Sequence, residues 1–325
     1  MKVGIAYDLK SDYIADGFTE EQAAEFDSEE TIEGIESALK ANGHRTQRIG
    51  NVRSLLSMLH NGKKWDIVFN ICEGYYGIGR EAQVPAILDI YNIPYTFSDV
   101  LVNSLTLHKG MTKRVMRDLG VPTADFEIVE YEDDINRIDL PFPLFVKPVA
   151  EGTGKGIDAT SKVNNVSELK EACMERLLQY KQPVLVETFL PGREFTVGII
   201  GTGKNAEAVG LMEVCFRENE TSKIYSYNSK AHYQDLIDYK IPEDELTQKC
   251  KDVALQAWRG LGCRDGGRID LRLDNNGIPN FIEVNPLAGL NPIHSDLPIL
   301  CRMAGISYNE LIGKIMDSAI KRIKK

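Results

Sequence analysis

The chain has 325 residues, 43% hydrophobic and 26% charged, with a formal net charge of −10. These values predict a folded, enzyme-sized protein of two or three lobes, and the absence of a basic block excludes a nucleic-acid footprint. Six cysteines at positions 72, 173, 215, 250, 263 and 301 show no C-x-x-C spacing, which argues against a disulfide framework or zinc ribbon and for reduced thiols in a cytosolic protein. No apolar run reaches the ~18 residues of a membrane span, and "MKVGIAYD" reads as a strand rather than a leader.

The first hundred residues alternate strand and helix. "KVGIAY" predicts a short buried strand. A helix follows in "DSEETIEGIESALKANGH", with Asp27 as cap, Glu30 completing a capping box, and Ile32, Ile35 and Leu39 as its apolar stripe. "RTQRI" and "WDIVFNI" predict strands with helical "RSLLSML" between them. "REAQVPAILDIY" predicts a helix and "IPYTF" a further strand, completing an open, mostly parallel α/β sheet.

Residues 101–119 predict one long helix ending at Gly120. Strand "FPLFVKPV", helix "SELKEACMERLLQY" and strand "QPVLVETF" come next. From Phe195 strands dominate: "FTVGII", "AEAVGLMEV", "RIDLRLD" and "IPNFIEVN", the last two joined by "NNG", a hairpin signal. "TQKCKDVALQAWRGLG" and the stretch from Leu297 predict helices, and "KRIKK" a solvated last turn.

Two segments imitate nucleotide motifs. "GIIGTGKN" is close to a P-loop, but Asn205 stands where a hydroxyl residue is needed and a strand follows, so it reads as a turn. "GYYGIGREA" is a loose G-x-G-x-x-A without the acidic residue that should end a second strand. It reads instead as a ligand-lining or structural loop at a helix N-terminus.

Chemistry concentrates elsewhere. In "RIDLRLDNNGIPNFIEVNP", Arg268, Asp270 and Arg272 share one strand face, and Glu283 and Asn285 share a face of the next. Folding the hairpin brings together two carboxylates and an amide, a donor set for a hard cation such as magnesium; the alternative is a salt-bridge lattice on a sheet. "FVKPVAEGTGKGI" is a strand followed by glycines 152, 154 and 156, which can offer backbone N–H groups to phosphate. Lys147 ends that strand, where an unpaired ammonium is costly; the alternative is a glycine hairpin with a snorkelling lysine. Lys109 is a second candidate phosphate contact or a solvated side chain. In "VLVETFLPGREFTV", Glu187 can accept from an adenine amino group and Glu194 from ribose hydroxyls, unless both are rim carboxylates.

With these residues in view, the sequence resembles the ATP-grasp superfamily and, within it, the D-alanine–D-alanine ligase family. "VKPVAEGTGKG", "VETFLPGREFTV", "AWRGLGCRDGGRIDLRLDNNG", "FIEVNPLAGLNPIHSDLP" and "AGISYNELI" carry the resemblance from about Leu101 onward. It implies an α/β (α+β) ATP-grasp fold with an N-terminal open parallel α/β domain: residues 1–100 on the substrate side, 101–190 with the glycine loop, and 191–325 with the metal site. It implies a cytoplasmic, ADP-forming ligase that joins two amino acids through an acyl phosphate. The pair is D-alanine, as in cell-wall peptidoglycan synthesis, or another donor and amine.

ATP and magnesium, or manganese, are the implied cofactors. The implied partners are small amino-acid substrates and a second copy of the chain in a homodimer, with no nucleic acid and no membrane. Asp270, Glu283 and Asn285 correspond to metal ligands. Lys109, Lys147, Gly152 and Gly154 correspond to phosphate contacts. Glu187 takes the adenine edge, the backbone at Phe189 and Leu190 the hinge, and Glu194 the ribose. Arg268, with the Gly289 N–H, corresponds to the group that steadies the anionic intermediate.

The sequence departs from the family around the first amino acid. Thr153 stands where the ligases have serine. Lys230 of the lobe-crossing loop is followed by Ala231 rather than tyrosine. "EGYYGIGREAQ" replaces a histidine–glycine loop and makes Glu73, Arg80 and Glu81 substrate-side candidates. A longer N-terminal segment replaces a Gly-Gly motif and its ammonium-binding glutamate, for which Glu25 and Glu29 are candidates. At the acceptor end, His294 and Ser295 precede a helix whose N-terminus suits a carboxylate; His294 is alternatively a packed side chain.

Overall fold

The computed structural model describes residues 1–217, 233–242 and 244–323. Three sheets organise them. The first is parallel, in the order β2–β1–β3, with β1 (Lys2–Tyr7) between β2 (Arg45–Gly50) and β3 (Ile67–Ile71). Its connections carry the helices α1 (Lys10–Ala15), α2 (Glu29–Ala41) and α3 (Val52–His60), and α4 (Gln83–Ile90) follows β3.

Helix α2 buries Ile32, Ile35 and Leu39, the stripe read from the sequence. Its cap is Ser28, whose hydroxyl accepts from Thr31 N, and not Asp27. The Asp27 backbone is committed to a bridge with the segment after β1: Lys10 N donates to its carbonyl and its own N–H donates to Asp8 O. "IPYTF" forms one parallel bridge between Tyr95 and Val68 rather than a strand. Pro94 offers only its carbonyl to Val68, and Phe97 turns away at φ +70°.

The expected long helix of 101–119 is two helices, α5 (Val100–Leu107) and α6 (Lys109–Asp118). His108 breaks it at ψ 89°, and its Nδ1 accepts from Met111 N to cap α6. The Lys109 N–H, freed from the helix ladder, donates to Val149 O. The break therefore anchors Lys109 beside the strand that carries Lys147.

The second sheet is antiparallel, β4–β7–β5–β6: β4 (Phe126–Val129), β5 (Leu144–Pro148), β6 (Lys162–Val163) and β7 (Val184–Thr188). Helix α7 (Val166–Tyr180), capped by Asn165, covers one face through Leu169 and Cys173 against Val129, Leu144, Val146 and Val184.

The third sheet, β10–β9–β8–β11–β12, is also antiparallel. It comprises β8 (Glu194–Ile200), β9 (Glu207–Phe216), β10 (Ile237–Lys240), β11 (Gly266–Leu273) and β12 (Pro279–Asn285). A single helical turn, α8 (Tyr233–Leu236), precedes β10. The "GTGKN" segment is a turn between β8 and β9, as its sequence predicts. Helix α9 (Leu246–Leu261) packs Ala254, Ala257 and Trp258 on one face of this sheet and ends at Gly262, φ +77°.

The other face meets α10 (Asp296–Met303) and α11 (Tyr308–Ile323). Leu297, Leu311 and Ile315 join Val3, Ile5, Ile32 and Ile35 in one apolar cluster, so the C-terminal helices fasten the first sheet to the third. Each such fully buried side chain stabilises the arrangement by about 1.5–3 kcal/mol. Buried Asp265 reinforces the joint, accepting from Phe97 N, Ser318 Oγ and Arg322. Arg322 is thus an anchor, contrary to the solvated end expected from "KRIKK". All six cysteines are free thiols, and five are buried. Among the described residues no helix is long and apolar enough to cross a membrane.

Candidate active site

Two adjoining clefts open at the third sheet. The first, against the second sheet, is lined by Lys109, Lys147, Gly154, Glu187, Phe189, Leu190, Glu194, Asp270 and Glu283, among others. The second, against the glycine loop and the segments that follow β1 and β3, is lined by Glu25, Glu73, Glu81, Gly152, Thr153, Arg268, Asn285 and Gly289, among others. Lys109, Glu151 and Glu283 line both, so the clefts meet there.

The hairpin of β11 and β12 sets the join. Its register puts Arg268 opposite Asn285 and Asp270 opposite Glu283. Asp270 accepts from Thr196 Oγ1 at 2.9 Å, is ion-paired to Arg268, and has Asn285 Nδ2 at 3.4 Å. Glu283 lies 3.5 Å from Lys109 Nζ. Asp270, Asp296 and Glu283 hold the half-buried Arg268 firmly protonated against the cost of desolvation. The hard-oxygen set is two carboxylates and an amide. No three His, Cys, Asp or Glu side chains gather as a metal cluster among the described residues. A divalent cation here would draw further ligands from phosphate and water, which fits magnesium.

Both lysines are buried rather than snorkelling. Lys109 is 8% exposed and donates to Glu151 O at 2.5 Å; Lys147 is 3% exposed and lies 2.7 Å from Glu187 Oε1. Glu187 is also bonded to Lys113 at 2.8 Å, and the two ammonium groups outweigh burial and lower its carboxyl to about 2. Glu194 pairs with Arg272 at 3.1 Å. The Phe189 N–H is taken by Pro143 O, and its ring lies 4.4 Å from Lys162 Nζ. The Leu190 side chain lines the same wall.

The glycine loop turns through positive φ at Thr153, Gly154 and Gly156. Gly156 is required there, since a Cβ would stand 2.5 Å from Pro148 Cγ. Gly152 donates its N–H to Glu25 Oε1 at 2.8 Å. Arg80 pairs with the other Glu25 oxygen and with Ala150 O, so it braces this loop and faces a neighbouring cavity rather than the second cleft. Glu25 is fully engaged and Glu29 is an outer partner of Arg48. Neither candidate from the N-terminal segment offers an uncommitted carboxylate.

Glu73 and Glu81 do line the second cleft, and neither carboxyl group has a hydrogen-bond or ion-pair partner among the described residues. Burial, with Glu81, Glu25 and Asp27 nearby, pushes the Glu73 carboxyl well above its usual range. Burial also pushes Glu81 up to about 7, with Arg80 and Lys109 opposing and Glu25 adding to the shift. Ser295 Oγ accepts from Asn291 N, and a Cβ on Gly289 would lie 2.9 Å from that oxygen. His294 is exposed and lines neither cleft. Lys230, with Ala231, lies outside the described residues.

Sequence reading missed Lys113, Glu25 as a brace, and Thr196. Lys113 sits four residues after Lys109, so both fall on one face of α6. A charged pair on the buried face of a short helix was the available signal.

The family model "D-ala D-ala ligase C-terminus" matches residues 115–317. An uncharacterized protein of Sinorhizobium fredii is 33% identical over 300 residues, 89% of this chain and 87% of its own length. A D-alanine–D-alanine ligase of Aquifex aeolicus is 32% identical over 288 residues, 88% of this chain and 93% of that protein. The crystal structure of a Bacillus anthracis D-alanine–D-alanine ligase complexed with ATP superposes with a TM-score of 0.75 at 21% identity, covering 100% of this chain and 99% of that one, and so has the same fold. The fold is that of an ATP-grasp protein. The chain belongs to the D-alanine–D-alanine ligase family.

Proposed function

We propose that this protein is an ATP- and magnesium-dependent ligase that joins two amino acids, with D-alanine as the reference substrate. The observation that carries the reading is the meeting of the two clefts at Lys109 and Glu283. The lysines and oxygen donors suited to a metal triphosphate adjoin a chamber holding an arginine and unpaired carboxylates.

In this reading the adenine lies against Phe189 and Leu190 with Glu187 at its edge, Glu194 takes the ribose, and Lys109 and Lys147 meet the phosphates with the N–H groups of the glycine loop. Asp270, Glu283 and Asn285 would hold the magnesium, which would supply Lewis-acid polarisation to the phosphoryl transfer. The donor carboxylate attacks the γ-phosphate to give an acyl phosphate and ADP. The acceptor amine then attacks that carbonyl and phosphate leaves. Arg268 and the Gly289 N–H offset charge on the tetrahedral oxygen. The N-terminus of α10, with Ser295, receives the acceptor carboxylate. The glycine loop, with Thr153, keeps water from the acyl phosphate.

Glu73 and Glu81 support a specific donor reading: an ammonium, with three N–H groups, bridges the two carboxylates. A donor with a second amine would answer them even better, which favours an alternative pairing to D-alanine. Division into lobes 1–100, 101–190 and 191–325, a cytoplasmic location and a homodimer belong to the same proposal. The test is phosphate release from Mg·ATP with single and paired D- and L-amino acids, products identified by mass. Turnover with D-alanine alone, giving its dipeptide, supports the reference pair. Turnover only with another pair redirects the substrate, and no turnover with any amino acid would sink the ligase reading.

A further inference from the structure

Lys113 lines neither cleft, yet its side chain is completely buried directly behind the wall of the first. Its ammonium lies 2.8 Å from Glu187 Oε2 and donates to Thr123 Oγ1 at 2.6 Å, 5.6 Å from the Phe126 ring. The Thr123 hydroxyl spends its own proton on Phe281 O at 2.9 Å, so its oxygen is left to accept from Lys113. Phe281 N in turn donates to Pro122 O at 2.7 Å, and Phe281 is two residues before Glu283 on β12. Contacts thus run unbroken from Lys147 through Glu187, Lys113 and Thr123 to the strand of Glu283.

Charge counting shows what Lys113 adds. Glu187 alone with Lys147 is a neutral pair. Burial lowers the Lys113 ammonium's pKa, with Glu187 opposing and Lys147 adding to the shift; protonated, Lys113 gives the trio one net positive charge, with Lys147 as its only ammonium on the cleft. Burying an extra charge is expensive, and an apolar side chain of similar size would seal this wall as well or better. The buried ammonium is therefore hard to explain as packing. Despite burial, Lys147 is driven above its ordinary range by Glu187, Glu283 and Glu194, so it stays charged.

We propose that Lys113 is a positioning residue of the nucleotide site. It neutralises and fixes Glu187, so that more of the Lys147 charge, which Glu283 and Glu194 also face, is left for bound phosphates. This inference rests on the nucleotide reading above.

The experiment is calorimetric titration of Mg·ADP into the intact protein and three variants, with melting curves as a control of folding. Lys113→Met leaves Glu187 paired to Lys147 and should weaken binding roughly tenfold or more, since the site loses its net charge. Lys113→Arg keeps a positive charge beside Glu187 and leaves the cleft lining untouched, and it should recover most of the affinity. Thr123→Val leaves every charge in place and should bind within a few-fold of wild type. Unchanged affinity in Lys113→Met, a folded Lys113→Arg as weak as Lys113→Met, or an equal loss in Thr123→Val would each overturn the role of the Lys113 charge. Failure of the wild-type protein to bind Mg·ADP would overturn the nucleotide reading and this inference with it.

Discussion

Glu25 reaches across 127 residues of sequence to accept the Gly152 N–H at 2.8 Å. A side chain at position 152 would clash, because a Cβ there stands 2.7 Å from the same oxygen. The carboxylate also holds Arg80 at 2.9 Å and lies 3.4 Å from Lys155. One buried group therefore joins the segment before α2, the loop before α4 and the glycine loop.

Glu25→Gln should loosen that junction. It leaves Arg80 and Lys155 short of a counter-charge, a loss of about 3 kcal/mol for a broken buried pair. Hydrogen exchange at residues 151–157 should accelerate and the melting temperature should fall. Unchanged exchange in the glycine loop would show that Glu25 braces nothing there.

The pH dependence of stability should carry two opposite signatures. Glu187 is depressed to about 2, so its contribution is complete above the unfolded carboxyl pKa and is lost as pH falls from about 4.5 toward 2. Glu81 is raised to about 7, so the folded state holds a proton that the unfolded state has released, and stability falls as pH rises from about 4.5 to 7. Burial raises the neighbouring Glu73 as well, so Glu81→Gln should reduce that second slope without abolishing it and be more stable than wild type at pH 8, by at most on the order of 3 kcal/mol. Denaturant melts at pH 5 and pH 8 measure it; parallel losses in both proteins would remove Glu81 from the account.

Much of the first cleft was legible because strand alternation fixes faces. Once β11 and β12 were seen as a hairpin, Asp270, Glu283 and Asn285 had to converge, and they do. The glycine spacing likewise marked the loop beside Lys147. Partner choice was not legible. Arg80 counts as a substrate-side candidate because its loop stands in place of a histidine–glycine loop, whereas Glu25, 55 residues away, claims it. The α5/α6 break was hidden because nothing in "TLHKGM" forbids a helix. His108 caps a new one only because the Lys109 N–H finds Val149 O in tertiary contact. Asp27 illustrates the same limit: a good cap by type, but its backbone was already spoken for by the bridge to Leu9.

Thr153 sits at φ +49°, a backbone conformation that a β-branched residue rarely adopts. Strain of that kind costs about 1–3 kcal/mol and is retained where the side chain is needed. Thr153→Ser keeps the hydroxyl and relieves crowding, so phosphate-release rates should stay within a few-fold. Thr153→Val keeps the branch and removes the hydroxyl, and a lost hydrogen bond to a charged phosphate, about 1.5–3 kcal/mol, should slow turnover roughly 10–100-fold. Equal rates in the two variants would mean that the hydroxyl contacts nothing during turnover.

Glu283 stands where the clefts meet, facing Asp270 across the hairpin and Lys109 at 3.5 Å. Glu283→Gln is nearly isosteric and keeps an oxygen, but it removes one of the two charges that would hold magnesium. Lys109 keeps its bond to the Glu151 carbonyl, so the fold should tolerate the change. Turnover should drop by at least about a hundredfold, the scale of a lost electrostatic contact in a dry site. The magnesium concentration needed for half-maximal rate should rise in parallel, while nucleotide binding in excess magnesium falls less. Varying magnesium at saturating ATP separates these effects. A variant with wild-type magnesium dependence and only a lower maximal rate would place Glu283 in the chemistry of the substrates rather than in the hold on the metal.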